Sequence, residues 1–169
     1  GELKDTVDTG SAVTVLLDTT PFYAESGGQV GDSGYITAPG GKIRVTDTKK
    51  QNGKFLHHGT VESGTIKVGD SVSASIDAER REAIRRNHSA AHLLQAALKK
   101  VLGNHVAQAG SYVSEDRMRF DFSHFTAMTA EEIAQTEKMV NEYIMNAVPV
   151  ETIVTSIDEA KKLGATALF

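Results

Sequence analysis

The sequence predicts an α+β protein: a small antiparallel β-barrel followed by a mixed α+β core. Three observations carry this. Short runs rich in β-branched residues recur through residues 1–77, with turn signals between them. Residues 78–102 (AERREAIRRNHSAAHLLQAALKKVL) then hold helix formers with neither Gly nor Pro. Strand-like and helix-like segments alternate from there to the end.

In order, residues 12–17, 43–47, 55–62 and 71–76 read as strands. Pro39-Gly40-Gly41, Asn52-Gly53 and Val68-Gly69-Asp70 mark turns. Asp77 is a candidate cap for the helix, Asn87 for a second helical segment, and Gly103 for the stop. Two strands are expected near 105–114 and 117–123. A helix over 129–147 has Thr129 and Glu132 at capping-box spacing, with Pro149 as its stop. A strand over 150–156 and a short helix ending at Gly164 follow. The domain boundary is expected at 77/78.

The chain has 169 residues, net charge −4 and no cysteine. That excludes disulfides, a Cys nucleophile and thiolate metal ligands within it, so a metal would need His, Asp or Glu. No apolar run approaches the roughly 20 residues of a membrane helix, and a cytoplasmic setting is expected. Nucleic acid would have to meet a local basic patch. The closing ATALF is apolar without a polar tail, which predicts a piece of a longer protein.

His88 and His92 stand at i, i+4, so on a helix they share a face and two imidazoles could reach one metal ion. On spacing alone, two ordinary helix histidines are the commoner explanation. At about 100° per residue, Ala90, Leu93, Leu94, Ala97, Leu98 and Val101 centre on one side of the helix. The pair lies about 150° from it at 100° per residue, facing solvent or a cleft. There is no HExxH glutamate, and two ligands do not complete a zinc site. His57 and His58, adjacent in a strand, read as structural or solvated. His105 and His124 have no partner at ligand spacing.

Residues 19–34 (TTPFYAESGGQVGDSG) form a glycine-rich loop that is neither a Walker loop nor a dinucleotide fingerprint. It reads as an ordinary connection or as a place of close ligand approach. Arg80, Arg81, Arg85 and Arg86 make the densest positive cluster, either a solvated face or a phosphate-contacting patch.

The stretches Thr20–Asp32, Arg86–Leu94, His105–Ser111, Arg119–Phe125 and 164–169, in this order, resemble the editing region of bacterial alanyl-tRNA synthetases. The resemblance implies a β-barrel before an editing core of the threonyl/alanyl-tRNA synthetase type. It implies zinc-dependent hydrolysis of serine or glycine mischarged onto alanine tRNA, a second sieve for small side chains. It matches His88 and His92 to two zinc ligands and Gln108 to a glutamine lining the catalytic pocket. Gly27, Gly28 and Gln29 match a loop near the aminoacyl end. Ala91 stands where many relatives have Thr. Arg80, Arg81, Arg85 and Arg86 would meet the tRNA acceptor end. The remaining ligands belong to a Cys-Gly-Gly-Thr-His motif that these 169 residues lack, so the chain by itself is expected to be inactive. ATP and Mg²⁺ would serve the aminoacylation domain, also lacking here. The expected partners are alanine tRNA and the rest of the synthetase, in the cytoplasm.

Overall fold

Alternating apolar and polar residues build the strands of the first half. The computed structural model describes residues 2–165. Six strands form one antiparallel sheet: β1 (Thr6–Asp8), β2 (Ala12–Val15), β3 (Gly34–Ala38), β4 (Gly41–Gln51), β5 (Lys54–Lys67) and β6 (Ser73–Ile76). The order is β1-β5-β4-β3-β6, with β2 also on β5. β1 and β2 lie in series along β5, Thr6 facing Lys67 and Val15 facing His57. Asn52 and Gly53 turn the long β4–β5 hairpin, where Gln51 pairs Lys54. One face of the sheet carries Ile36, Ala38, Ile43, Val45, Val61 and Ile66, which pack with Phe22 into the core. Each large side chain buried there contributes roughly 1.5–3 kcal/mol.

The expected barrel is corrected here. Among the described residues β6 pairs with β3 alone and neither β1 nor β2 returns to it, so the sheet is open. The edges explain this. β1, β2 and β6 are three or four residues long, and β1 and β2 are interrupted at Thr9–Ser11. Closure needs a continuous seam with matched stagger. β1 and β3 fall in segments without an expected strand, and β4 and β5 run beyond 43–47 and 55–62 because their exposed faces are polar.

The first compact unit takes the chain up to His88 together with Ser111–Arg119. The second takes Ser89–Gly110 and the chain from Phe120 on. The division falls inside α1 (Ala78–Leu102), a single helix over the expected residues. Asp77 Oδ1 accepts from the Arg80 amide and so caps it, while Gly103 ends it with its N–H on Lys99 O. Asn87 caps nothing; its amide donates to Ser114 O and Glu115 O instead.

Downstream, β7 (Gln108–Val113) and β8 (Met118–Phe122) form a two-stranded sheet. α2 (Ala130–Met145) has the full Thr129–Glu132 capping box. It ends at the Asn146 cap, with Ala147 at φ 46°, before Pro149 is reached. The strand expected over 150–156 is absent: Val150, Ile153 and Val154 are exposed in irregular backbone, with no ladder partner among the described residues. α3 (Ile157–Lys162) follows, capped by Ser156. The end of the 164–169 match lies outside the described residues. No helix among the described residues is long and apolar enough to cross a membrane.

Candidate functional site

Two arginines in the first turns of α1 anchor the helix to the glycine-rich loop. Arg81 pairs with Asp32, which is 2% exposed, through Nε at 2.8 Å and through a second contact from Nη2. Asp32 also accepts from the Tyr23 amide at 2.7 Å. The hydrogen bond to Asp32 raises the Arg81 guanidinium further above its ordinary range. Arg80 donates from Nε to Glu115 at 2.7 Å and from Nη1 to Gly31 O at 2.9 Å. That hydrogen bond holds the Glu115 carboxyl below the usual carboxylate range. Arg80 and Arg81 are thus committed to internal partners. Arg85 is exposed and bonded to Glu82, and Arg86 is exposed.

The loop is a tight turn. Ser26 and Gln29 exchange backbone hydrogen bonds at 3.1 and 2.9 Å. Gly27 and Gly28 between them have φ of 57° and 83°. Positive φ at both central positions is what a type I′ turn requires. The two glycines are otherwise unlike. A Cβ on Gly27 would meet nothing within 4 Å, whereas one on Gly28 would lie 2.2 Å from Ser111 Oγ and 2.7 Å from Ser111 O. The strand beside the turn causes this: Val113 N donates to Gly28 O, and Val30 N to Val113 O.

This packing presents Gln29. Its side chain, 6% exposed, places Oε1 2.7 Å from His88 Nδ1. An amide oxygen only accepts, so in this contact Nδ1 is the donor. A metal-ligating histidine has this arrangement, its other ring nitrogen held by a hydrogen bond.

His88 is half-buried. Ile84, Ala91 and Leu98 are buried, and at about 100° per residue they lie within about 40° of one another, beside His88. The expected apolar face described the C-terminal turns of α1 and missed this one. His92 is exposed, one turn further along α1, and Ala91 is buried. Gln108 opens β7, half-buried. Ala91, His92 and Gln108 belong to the second unit. The first unit thus brings together Gly27, Gly28, Gln29, His88, Arg80 and Arg81.

The remaining histidines divide clearly. His57 is fully buried, with Nδ1 2.9 Å from Val15 O and Nε2 2.7 Å from Thr20 Oγ1. Burial, the largest influence, lowers its basicity. It is a structural residue of the sheet, as one of the sequence readings has it. His105 and His124, without sequence spacing to link them, meet at 2.8 Å in the second unit. Asp32, Asn87 and Glu115 were missed by motif reasoning. Asp32 lies within the glycine-rich stretch, but nothing in the sequence pairs it with Arg81, 49 residues away.

As a metal centre the site is partial. His88 and His92 suit zinc by donor type, spacing and the Gln29 hydrogen bond. Among the described residues no group of three or more His, Cys, Asp or Glu gathers where a metal could sit.

Comparisons with known proteins point to one group of enzymes. The family model of class II tRNA synthetases (A) matches residues 1–80. The alanine–tRNA ligase of Acetivibrio thermocellus is 57% identical over 99% of this chain, which covers 19% of that protein. For the ligase of Paracoccus denitrificans the values are 54%, 95% and 18%, and for that of Bacillus subtilis 49%, 100% and 19%. Along essentially its whole length, therefore, the chain is similar in sequence to alanine–tRNA ligases, and it spans 19% of the length of the first of these relatives.

Proposed function

We propose that the chain is a segment of an alanine–tRNA ligase and serves to hydrolyse serine or glycine wrongly esterified to alanine tRNA. The observation that carries this is the His88–His92 pair on α1, with His88 Nδ1 held by buried Gln29, in a chain so similar to those ligases. A small side chain is hard to reject by fit alone, so a ligase for alanine benefits from a second, hydrolytic site.

In this reading water attacks the ester carbonyl and the bond to the ribose oxygen breaks. Free amino acid and a tRNA 3′-terminal hydroxyl result. His88 and His92 would hold zinc, with further ligands supplied from elsewhere. When bound, zinc supplies positive charge that polarises a carbonyl or acidifies a water. Gln108 would hydrogen-bond the aminoacyl group or the water. Ala91 would bear on the recognition of serine, and the turn at Gly27 and Gly28 would meet the aminoacyl end. Arg80 and Arg81 hold loop to helix, which leaves Arg85 and Arg86 for the acceptor-end phosphates. Charge reversal at these two raises the KM for deacylation and flattens its salt dependence; unchanged values remove them from the interface.

The test supplies zinc and serine-charged alanine tRNA to the chain and compares ester loss with His88→Ala. Two imidazoles hold zinc weakly, so little hydrolysis above the variant is expected from this chain alone. Strong, stoichiometric zinc and rapid turnover would contradict that ligand count. The shortage of ligands among the described residues also favours a second reading, in which the chain binds tRNA and performs no hydrolysis. Retained tRNA affinity, with no hydrolysis even within a whole ligase, would establish it.

A further inference from the structure

Gln29 is built in more firmly than a residue lining a substrate path needs to be. Its amide donates to Ser26 O and its carbonyl accepts from Ser26 N. The flanking Gly28 O and Val30 N are both bonded to Val113. The side chain is buried and its oxygen is 2.7 Å from His88 Nδ1. His88 lies one turn of α1 past Ile84, which is fully buried, and the preceding Asn87 is tied to Ser114 O and Glu115 O. The backbone beside each partner is therefore held by bonds that do not involve the contact.

We propose that Gln29 is a positioning residue for His88: its Oε1 fixes the imidazole as the Nδ1–H tautomer and so assigns metal binding to Nε2. This deepens the deacylation reading and rests on it for the metal alone. The chemistry is simple. A neutral imidazole has one N–H and one lone pair, and a neighbour that only accepts decides which nitrogen has which. The same hydrogen bond orients the ring, since the Gln29 side chain is buried and its backbone is held in the turn. The turn explains why this stretch needs its glycines: Gly28 lets the Gln29 backbone lie against Ser111–Val113, and that seats the acceptor.

The test reads the tautomer directly, with neither zinc nor tRNA present. Ring ¹⁵N shifts of His88 are measured in the metal-free chain above the ordinary imidazole titration range. Wild type is expected to carry the proton on Nδ1. Gln29→Leu, which removes the acceptor, shifts the population towards Nε2–H, and Gln29→Glu, which keeps an acceptor, restores Nδ1–H. Gln29→Met serves as a second deletion of the acceptor if the leucine variant does not fold. Cobalt(II) titration of the same proteins gives affinity about 10–100-fold weaker for the leucine variant and close to wild type for the glutamate variant. An Nε2–H ring in wild type, an unshifted tautomer in both deletions, or equal cobalt affinity in all variants overturns the proposal. Because the tautomer needs no substrate, such a result leaves the deacylation reading standing. A failed ester assay, conversely, leaves the tautomer result intact.

Discussion

In the first unit the buried polar groups Asp32, Thr48 and His57 all have hydrogen-bond partners: Asp32 with Arg81 and Tyr23, Thr48 with Asp32 O, His57 with Val15 and Thr20. In the second, Thr136 Oγ1 is buried without one. Large apolar side chains of the first unit lie mostly on the covered face of the sheet, whereas Val148, Val150, Ile153, Val154, Ile157 and Leu163 of the second are exposed. The difference shows where the fixed geometry of the candidate site originates. A hydrogen bond positions a ring only if its own support is rigid, and the loop that carries Gln29 has that support. Segments with few buried contacts open at low free-energy cost.

Substitutions can sharpen or break this contrast. The largest effect is expected at Asp32→Ala, which strands the Arg81 guanidinium and the Tyr23 amide. Breaking a buried pair from one side costs about 3–5 kcal/mol, read as a lower urea midpoint. The double variant with Arg81→Ala should recover part of it; full additivity would mean that the pair is not coupled.

Gly28→Ala comes next. Its methyl would overlap Ser111, including backbone oxygen, at a φ that L residues seldom adopt. A loss of about 2–3 kcal/mol is expected, against about 1 kcal/mol for Gly27→Ala, where only the φ is unfavourable. Equal losses would show that the turn does not rest on Ser111. Gly27→Asn suits the φ and has room. Normal stability with lost deacylation would then mark Gly27 as a place of close ligand approach.

The pH dependence of stability is a third test. His57 has a folded-state basicity below its ordinary 6.5, mainly through burial, so the unfolded chain takes up the proton first. Its stabilising contribution is complete above pH 6.5 and declines as pH falls towards the folded value. Stability of wild type should fall more steeply between about pH 7 and pH 5 than that of His57→Gln. Parallel curves would place the acid sensitivity elsewhere. The smallest effect belongs to the second unit: Val154→Ser should change stability by less than about 0.5 kcal/mol, and limited proteolysis should cut first near 147–156. A loss comparable to that at Asp32 would mean that this segment is packed.

Much of this contrast was legible in the residues. The α1 boundaries, the Thr129–Glu132 box and the hairpin at Asn52-Gly53 follow from local rules, because caps and turns are made by neighbours in sequence. The open sheet was not legible, since closure depends on how edge strands meet across the fold. The strand expected over 150–156 failed for the same reason: β-branched residues permit a strand, but only a partner makes one. At the candidate site, spacing and similarity single out His88 and His92. Gln29, which meets His88, and Asp32 and Glu115, which anchor Arg81 and Arg80, act across gaps of 35 to 59 residues that no local pattern spans.

The most direct test of the proposed function places His88→Ala in a whole alanine–tRNA ligase that contains this segment. Hydrolysis of serine-charged alanine tRNA and charging of tRNA with alanine are then measured side by side. The account predicts a loss of hydrolysis of about 100-fold or more, as for removal of a metal ligand, with alanine charging within about two-fold of wild type. Undiminished hydrolysis, or charging that falls in step with it, would contradict it.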